Sequence, residues 1–302
     1  MSWKINVILN LVILSACSQP NIDQKKSRVE SNYLIEVEEL LSITSFSKIK
    51  IIDFRKKDIY EEGHIAGAIQ LWRNDIEDDS YNYKGMMANK EQIESLFSNW
   101  GITQEDTLIV YDDSGLSDAA RLWWVLQNYN FNQVKLLHGG YEAWKASNGP
   151  LTKQSTKVHP SVFKLPSSSS MKYLMTKEEM LEDMNSALII DTRSLDEYTG
   201  KHQKGGATKA GRIPNSLHID WAASINYHGD KKLKSIQELE SIYDQMKVKK
   251  DDAIWVYCHS GVRSAHTTFV LTQLLNYRNV KNYDGSWLEW SYYDDLEYEK
   301  SL

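Results

Sequence analysis

One cysteine in this chain stands where sulfur chemistry is possible. Cys258 lies in I-W-V-Y-C-H-S-G-V-R-S-A-H, residues 254–266. The apolar run reads as a buried strand, Gly261 as a tight loop, and the residues after it as the start of a helix. A thiol at such a strand end faces converging backbone N–H groups and the positive end of a helix dipole, and both favour the thiolate. A free thiol ionises near a pKa of about 8.5, and this setting lowers it by one to several units. The thiolate is the nucleophilic form, so the segment predicts a reactive sulfur. The competing reading is a small buried hydrophobe that closes a strand.

The elements that position this residue are written twice. T-L-I-V-Y-D-D-S-G-L-S-D-A-A-R-L-W-W, from Thr107, aligns with A-I-W-V-Y-C-H-S-G-V-R-S-A-H-T-T-F-V, so that Gly115 and Asp112 match Gly261 and Cys258. Downstream, Gly139 and Trp144 match Gly285 and Trp290; upstream, Asp53 and Arg55 match Asp191 and Arg193, and Gly63 matches Gly211. Four ordered blocks make the chain two copies of one domain, 31–150 and 173–302. The Pro-, Ser- and Lys-rich stretch 151–172 joins them as a linker, in which Val162, Phe163 and Leu165 are expected to pack on a domain surface. Each copy alternates strands (50–54, 108–111 and 134–137; 187–191, 254–257 and 280–283) with helices (118–129; 262–277). That alternation predicts an α/β fold: tandem domains, each a parallel sheet flanked by helices. Ligands in such folds sit at the carboxyl ends of the strands, where Cys258 falls.

The chain has 302 residues, 41% hydrophobic, with a formal net charge of −6. The acidic balance argues against a nucleic-acid-binding surface. The second cysteine, Cys17, belongs to another story. Lys4 precedes an apolar stretch, Ile5 to Leu14, too short to span a bilayer, and Ser15 and Ala16 follow. This is a secretory leader pattern. Leu14-Ser15-Ala16-Cys17 also resembles the bacterial lipoprotein box. That resemblance implies removal of residues 1–16, lipidation of the Cys17 thiol, a tether over 17–30, and a protein anchored to the membranes of the bacterial cell envelope, on the periplasmic side or at the outer membrane. Cys258 is then the one thiol of the folded domains, in a compartment where cysteines usually pair, which points to a reactive residue.

Several motifs of the second copy point to a family: D-x-R at 191–193, E-Y-x-G at 197–200, G-R-I-P at 211–214, C-x-x-G-x-R-S at 258–264 and D-G-S-W-x-E-W at 284–290. From about Tyr33 to its end the chain resembles the tandem-domain rhodaneses, the thiosulfate and 3-mercaptopyruvate sulfurtransferases. The resemblance implies a catalytically silent first copy, with Asp112 in place of the cysteine. It implies attack of the Cys258 thiolate on the outer sulfur of a small-molecule donor, a persulfide, and release of that sulfur to a thiophilic acceptor. No metal or organic cofactor is implied, and a monomer is expected. The N–H groups of His259, Ser260, Gly261, Val262, Arg263 and Ser264 would stabilise the thiolate and then the persulfide. The six-residue loop from Cys258 to Arg263 is one residue shorter than in the related phosphatases and arsenate reductases, which favours a single sulfur atom as cargo.

The surrounding side chains are open to two readings each. Arg263 either binds the anionic donor or ties the loop to the D-x-R motif. Arg193 either contacts substrate or braces the loop together with Asp191. Trp287 is an apolar wall or a core residue. His259, if protonated, would lower the thiol pKa. His218, Trp221 and His266 read as structural. The loop matches neither the C-R-K-G-V-T pattern of the vertebrate thiosulfate enzymes nor the C-G-S-G-V-T of the mercaptopyruvate enzymes. Where both place an arginine, this chain has Glu197. The extra segment of the second copy carries Lys201, Lys204, Lys209 and Arg212, which either restore positive potential at the mouth or form a solvated loop.

Overall fold

The structure, a computed structural model, describes residues 29–43 and 47–301. Cys17 and the leader lie outside them. Twelve strands are described: β1 Leu34–Ile35, β2 Ile49–Asp53, β3 His64–Ile65, β4 Ile69–Gln70, β5 Thr107–Tyr111, β6 Val134–Leu137, β7 Leu151–Thr152, β8 Leu174–Met175, β9 Leu188–Asp191, β10 Leu217–His218, β11 Ile254–Tyr257 and β12 Val280–Tyr283. They form two five-stranded sheets, β1-β6-β5-β2-β4 and β8-β12-β11-β9-β10. The order is the same in both, and every pairing within them is parallel.

The long strands fall within a residue of their expected places because they are continuous apolar runs buried on both faces. The outer strands β1, β4, β8 and β10 were not legible, since two residues carry no periodicity. The helix expected over 262–277 is α-helical only over Val262–Phe269, then continues as a π-helical turn, Val270–Leu274. There the Thr268 and Thr272 hydroxyls bond back to the carbonyls of Ser264 and Thr268, which competes with regular backbone pairing. The linker is partly structural: β7 pairs antiparallel with β3 of the first domain. Phe163 and Leu165 are buried, Phe163 edge-on to Phe97 and Phe131, whereas Val162 points to solvent.

The helix after each loop, α1 (Ser117–Asn128) and α2 (Val262–Phe269), lies in a core shared by both domains. Every residue of α1 is buried. Trp123 meets Phe269 edge-on at 5.0 Å and Tyr173 at 5.5 Å. The two loops therefore sit against the partner domain, each covered by a segment of the other.

Candidate active site

The register of the second sheet brings the site together. Tyr257, the last residue of β11, lies beside Asp191, the last of β9. Cys258 follows and is buried; it is the one cysteine among the described residues. Gly261, with φ 74°, turns the chain into α2. A side chain at Gly261 would meet Arg121 and the Asp284 carbonyl at 2.8 Å, so glycine is required on two grounds.

Ser286 holds the loop closed. Its hydroxyl accepts the N–H of Cys258 at 3.1 Å and of Gly261 at 3.0 Å, and donates to the Tyr283 carbonyl at 2.8 Å. Its φ is +50°, a left-handed conformation that costs a non-glycine residue about 1–2 kcal/mol. At the twin position stands Gly140, with φ +57°. The serine is thus retained against its backbone preference for its hydroxyl. Sequence reasoning had the D-G-S-W motif but passed over this serine; the Ser286/Gly140 exchange between the copies was the available signal. Ser286→Gly keeps the backbone comfortable and removes the acceptor of two buried N–H groups. We expect it to lower the thermal midpoint modestly, by about 1 kcal/mol net, and to raise the pH midpoint of Cys258 alkylation, read with iodoacetamide.

Burial of Cys258 opposes its ionisation, but the Arg263 charge, the Ser264 hydroxyl and the N–H groups of Ser264 and Ser260 outweigh it, so the thiol lies below its ordinary pKa. The first domain shows what this cradle is for. Asp112 accepts the N–H groups of Ser114 and Leu116 on one carboxylate oxygen and of Asp118 and Ala119 on the other, at 2.9–3.1 Å. Ser114 and Asp118 are the counterparts of Ser260 and Ser264. The same loop positions that point at sulfur in one copy bind an anion in the other, and the carboxylate fills the silent cradle. Burial and the nearby Asp118 carboxylate push Asp112 up to about 6 in spite of those four donors.

The same comparison settles the D-x-R motif. Asp191 receives the Arg193 guanidinium and the Tyr257 hydroxyl, and Arg193 Nη2 donates to the Gly211 carbonyl at 2.7 Å. Asp53, Arg55, Tyr111 and Gly63 repeat this arrangement in the first domain, which has no cysteine. Arg193, expected among the substrate contacts, is a buried brace that ties β9, β11 and the Gly211 turn together.

Arg263 is held by neither of its expected partners. It forms a two-pronged ion pair with Glu197, Nη1–Oε2 2.7 Å and Nη2–Oε1 2.8 Å. Glu197, which stands where the resembling enzymes place an arginine, is the partner that aims Arg263. Burial raises the Glu197 pKa, but Arg263 above all holds it down at about 2, and the arginine in turn is raised.

His259 is buried, with Nε2 3.1 Å from the Gly205 carbonyl. Burial and the cations Lys204 and Arg263 press its pKa down to about 4. It is neutral at pH 7 and supplies no positive charge to the thiol. Trp287 is also buried: its indole N–H donates to the Lys209 carbonyl, its backbone N–H to the Cys258 carbonyl at 3.1 Å, and Arg193 stacks on its ring at 4.7 Å. It is a core residue that anchors the loop. His218 Nε2 donates to the Arg193 carbonyl, and His266 lies edge-on to Trp221. Both are structural, as read.

Of the four cations in the extra segment, Lys201 pairs with Asp196, Lys209 donates to the Tyr293 carbonyl, and Arg212 pairs with Glu299. Lys204 is electrostatically coupled to Cys258. A further cation there was not legible in the sequence: Arg73, from the first domain, whose charge is stabilised by Asp118 and also by Cys258. Among the described residues no cluster of side chains suits a metal ion.

Comparison with known proteins agrees with this geometry. The rhodanese-like domain matches residues 36–147 and again 176–292. Over 240 residues the chain is 35% identical to a protein of Saccharopolyspora erythraea called a putative thiosulfate sulfurtransferase, covering 76% of this chain and 83% of that one. It is 32% identical over 246 residues to the sulfur carrier protein TtuD of Thermus thermophilus, covering 77% and 84%. An anaerobic ergothioneine biosynthesis enzyme from Chlorobium limicola superposes with a TM-score of 0.79 at 22% identity, covering 91% of this chain and 72% of that one, and shares the fold. With two matched copies, one bearing a cysteine in its anion cradle and one a carboxylate, the chain belongs to the rhodanese family.

Proposed function

We propose that this protein is a sulfurtransferase that moves sulfane sulfur from a small anionic donor, thiosulfate first, to a thiophilic acceptor such as cyanide or a thiol, through a persulfide on Cys258. The observation that carries the reading is the cradle itself: a buried thiol below its ordinary pKa, in a ring of N–H groups that binds a carboxylate in the silent copy. The relatives named thiosulfate sulfurtransferase support thiosulfate as the donor.

The reaction has two displacements. The Cys258 thiolate attacks the outer sulfur of thiosulfate; an S–S bond forms to the enzyme, the S–S bond of thiosulfate breaks, and sulfite leaves with its electron pair. Cys–S–S⁻ remains. The acceptor then attacks the terminal sulfur and the thiolate departs. The transferred sulfur carries its own oxidation level, so no oxidant is consumed. Arg263, Ser264 and Ser260 favour the thiolate, the form that attacks, and lower the thiol below its ordinary pKa. Thiocyanate formation from thiosulfate and cyanide tests the reading, and its absence with every donor tried would overturn it. The runner-up donor is 3-mercaptopyruvate. A second mode, a persulfide carrier that hands sulfur to a protein, is favoured by the likeness to the sulfur carrier protein; it would show as a stable Cys258 persulfide with slow turnover to small acceptors.

The leader supports export and lipid attachment at Cys17, with the catalytic domains tethered to an envelope membrane by residues 17–30. Cys17→Ala should move the protein from the membrane to the soluble fraction after cell lysis. An unchanged distribution would contradict the anchor.

A further inference from the structure

The turn that closes the active loop is held by the first domain. Ser286 gathers two loop N–H groups from a left-handed backbone, and such a conformation persists only where its surroundings over-determine it. Two residues before it, Asp284 is buried. Its Oδ1 pairs with Arg121 Nη2 at 2.7 Å, and its Oδ2 accepts the N–H of Met87 at 2.8 Å. Arg121 belongs to α1, the helix that follows the silent loop. It is buried, lies 4.6 Å from the Trp124 ring, and donates from Nη2 to the Gly85 carbonyl at 2.6 Å. Both partners of the guanidinium press on the active loop. A methyl group at Gly85 would approach Ser260 Cβ to 2.8 Å, and one at Gly261 would approach the Asp284 carbonyl and Arg121 Nη1 to 2.8 Å each. Arg121 therefore packs against the glycine of the active loop, shielded from solvent.

The duplicated frame gives a control. At the offset that relates Gly115 to Gly261, Arg121 corresponds to Thr267 and Asp284 to His138. His138 repeats one half of the Asp284 contact: its Nε2 accepts the N–H of Leu233, from the segment of the second domain that covers Gly115. Its Nδ1 turns to Glu36 of its own domain at 2.8 Å. Thr267 carries no charge, and its hydroxyl donates to the Arg263 carbonyl of its own helix. Both copies thus keep the backbone link between the turn and the covering segment. The charged link from the opposite helix is made only at the loop that carries the cysteine. A buried ion pair is a weak source of stability, because desolvation offsets its attraction, and it is better suited to fixing one geometry.

We propose that Arg121 is a positioning residue for sulfur transfer, supplied by the silent domain: it locks Asp284, and with it the turn over residues 283–286, so that the Ser286 hydroxyl stays in register with the N–H groups of Cys258 and Gly261. The pin rests on the sulfurtransferase reading and deepens it. A planar guanidinium suits the task because it holds the Asp284 carboxylate and the Gly85 carbonyl at fixed angles at once. With the turn slack, the loop N–H groups that favour the thiolate lose their alignment, and small displacements of a reacting group cost rate. The copy without a cysteine then serves the reaction through its helix.

Arg121→Met alone strands a buried carboxylate, so the variant to compare with the parent is Arg121→Met with Asp284→Asn, which leaves no uncompensated charge and keeps an oxygen for the Met87 N–H. Two measurements are made on the full chain. The pH midpoint of Cys258 alkylation by iodoacetamide, taken without any sulfur donor, should rise by about half a unit, a roughly threefold loss of thiolate below the midpoint. The kcat for transfer from thiosulfate to cyanide should fall roughly tenfold while KM changes less than about threefold, because a buried Arg121 touches no substrate. Arg121→Lys keeps the charge without the fork and should recover part of both effects. An unmoved alkylation midpoint in a double variant whose circular dichroism matches the parent would overturn the pin and leave Arg121 a core ion pair only. A raised midpoint in a protein that turns over no thiosulfate would uphold the pin and sink the donor reading instead.

Discussion

Cys258→Ser should lose roughly three orders of magnitude or more of sulfur transfer from thiosulfate to cyanide. A serine hydroxyl stays protonated at neutral pH and cannot hold sulfane sulfur, and among the described residues no second thiol stands in. The loop should survive the change. Its N–H groups are gathered by Ser286, its carbonyl at 258 by the N–H of Trp287, and neither contact uses the side chain of Cys258. The thermal midpoint should therefore stay close to the parent value. Substantial thiocyanate from the serine variant would mean that the chemistry lies elsewhere.

The second large effect falls on the Arg263–Glu197 pair. Arg263→Met strands the Glu197 carboxylate, which is buried, and removes the charge that most strongly favours the thiolate. Breaking a buried pair by deleting one partner costs about 3–5 kcal/mol. Arg263→Met with Glu197→Gln should recover much of that, because no uncompensated charge remains. The thiol should not recover: its alkylation midpoint, below the free-thiol value in the parent, should move up in both variants. The pair also carries a pH dependence. Glu197 sits at about 2 in the fold against about 4.3 in an unfolded chain. A depressed carboxyl contributes stability that is complete above its unfolded pKa and disappears as the pH falls through the folded one. That contribution, about 2–3 kcal/mol, should fade between about pH 4.5 and 2, and Glu197→Gln should flatten it. A double variant with a restored thiol midpoint would show that Arg263 does not set the thiolate.

Much of the fold was legible because the chain states it twice. Apolar runs of four or five residues gave the central strands, and the repeat placed Cys258 and Asp112 at equivalent strand ends. The short edge strands were hidden because two residues show no alternation. Within the site, the loop N–H groups followed from the strand-loop-helix order. What stayed hidden were contacts between residues far apart in sequence. The partner of Glu197 is Arg263, 66 positions away. Arg73 carried no signal at all, since its electrostatic coupling to Cys258 arises across the two domains. Arg193 and His259 sit near the nucleophile in sequence or motif, yet Arg193 bonds to Asp191 and Gly211, and His259 Nε2 to Gly205. Proximity in a motif therefore overstated the donor contacts, and the repeat, in which Arg55 does the same work without a cysteine, was the better guide.

The most direct test is intact-protein mass spectrometry after brief treatment with thiosulfate and removal of the excess. The account predicts a single sulfur adduct of about +32 Da, mapped by peptide analysis to Cys258, that disappears on addition of cyanide as thiocyanate appears in equal amount. An unmodified Cys258, or an adduct that cyanide does not discharge, would contradict it.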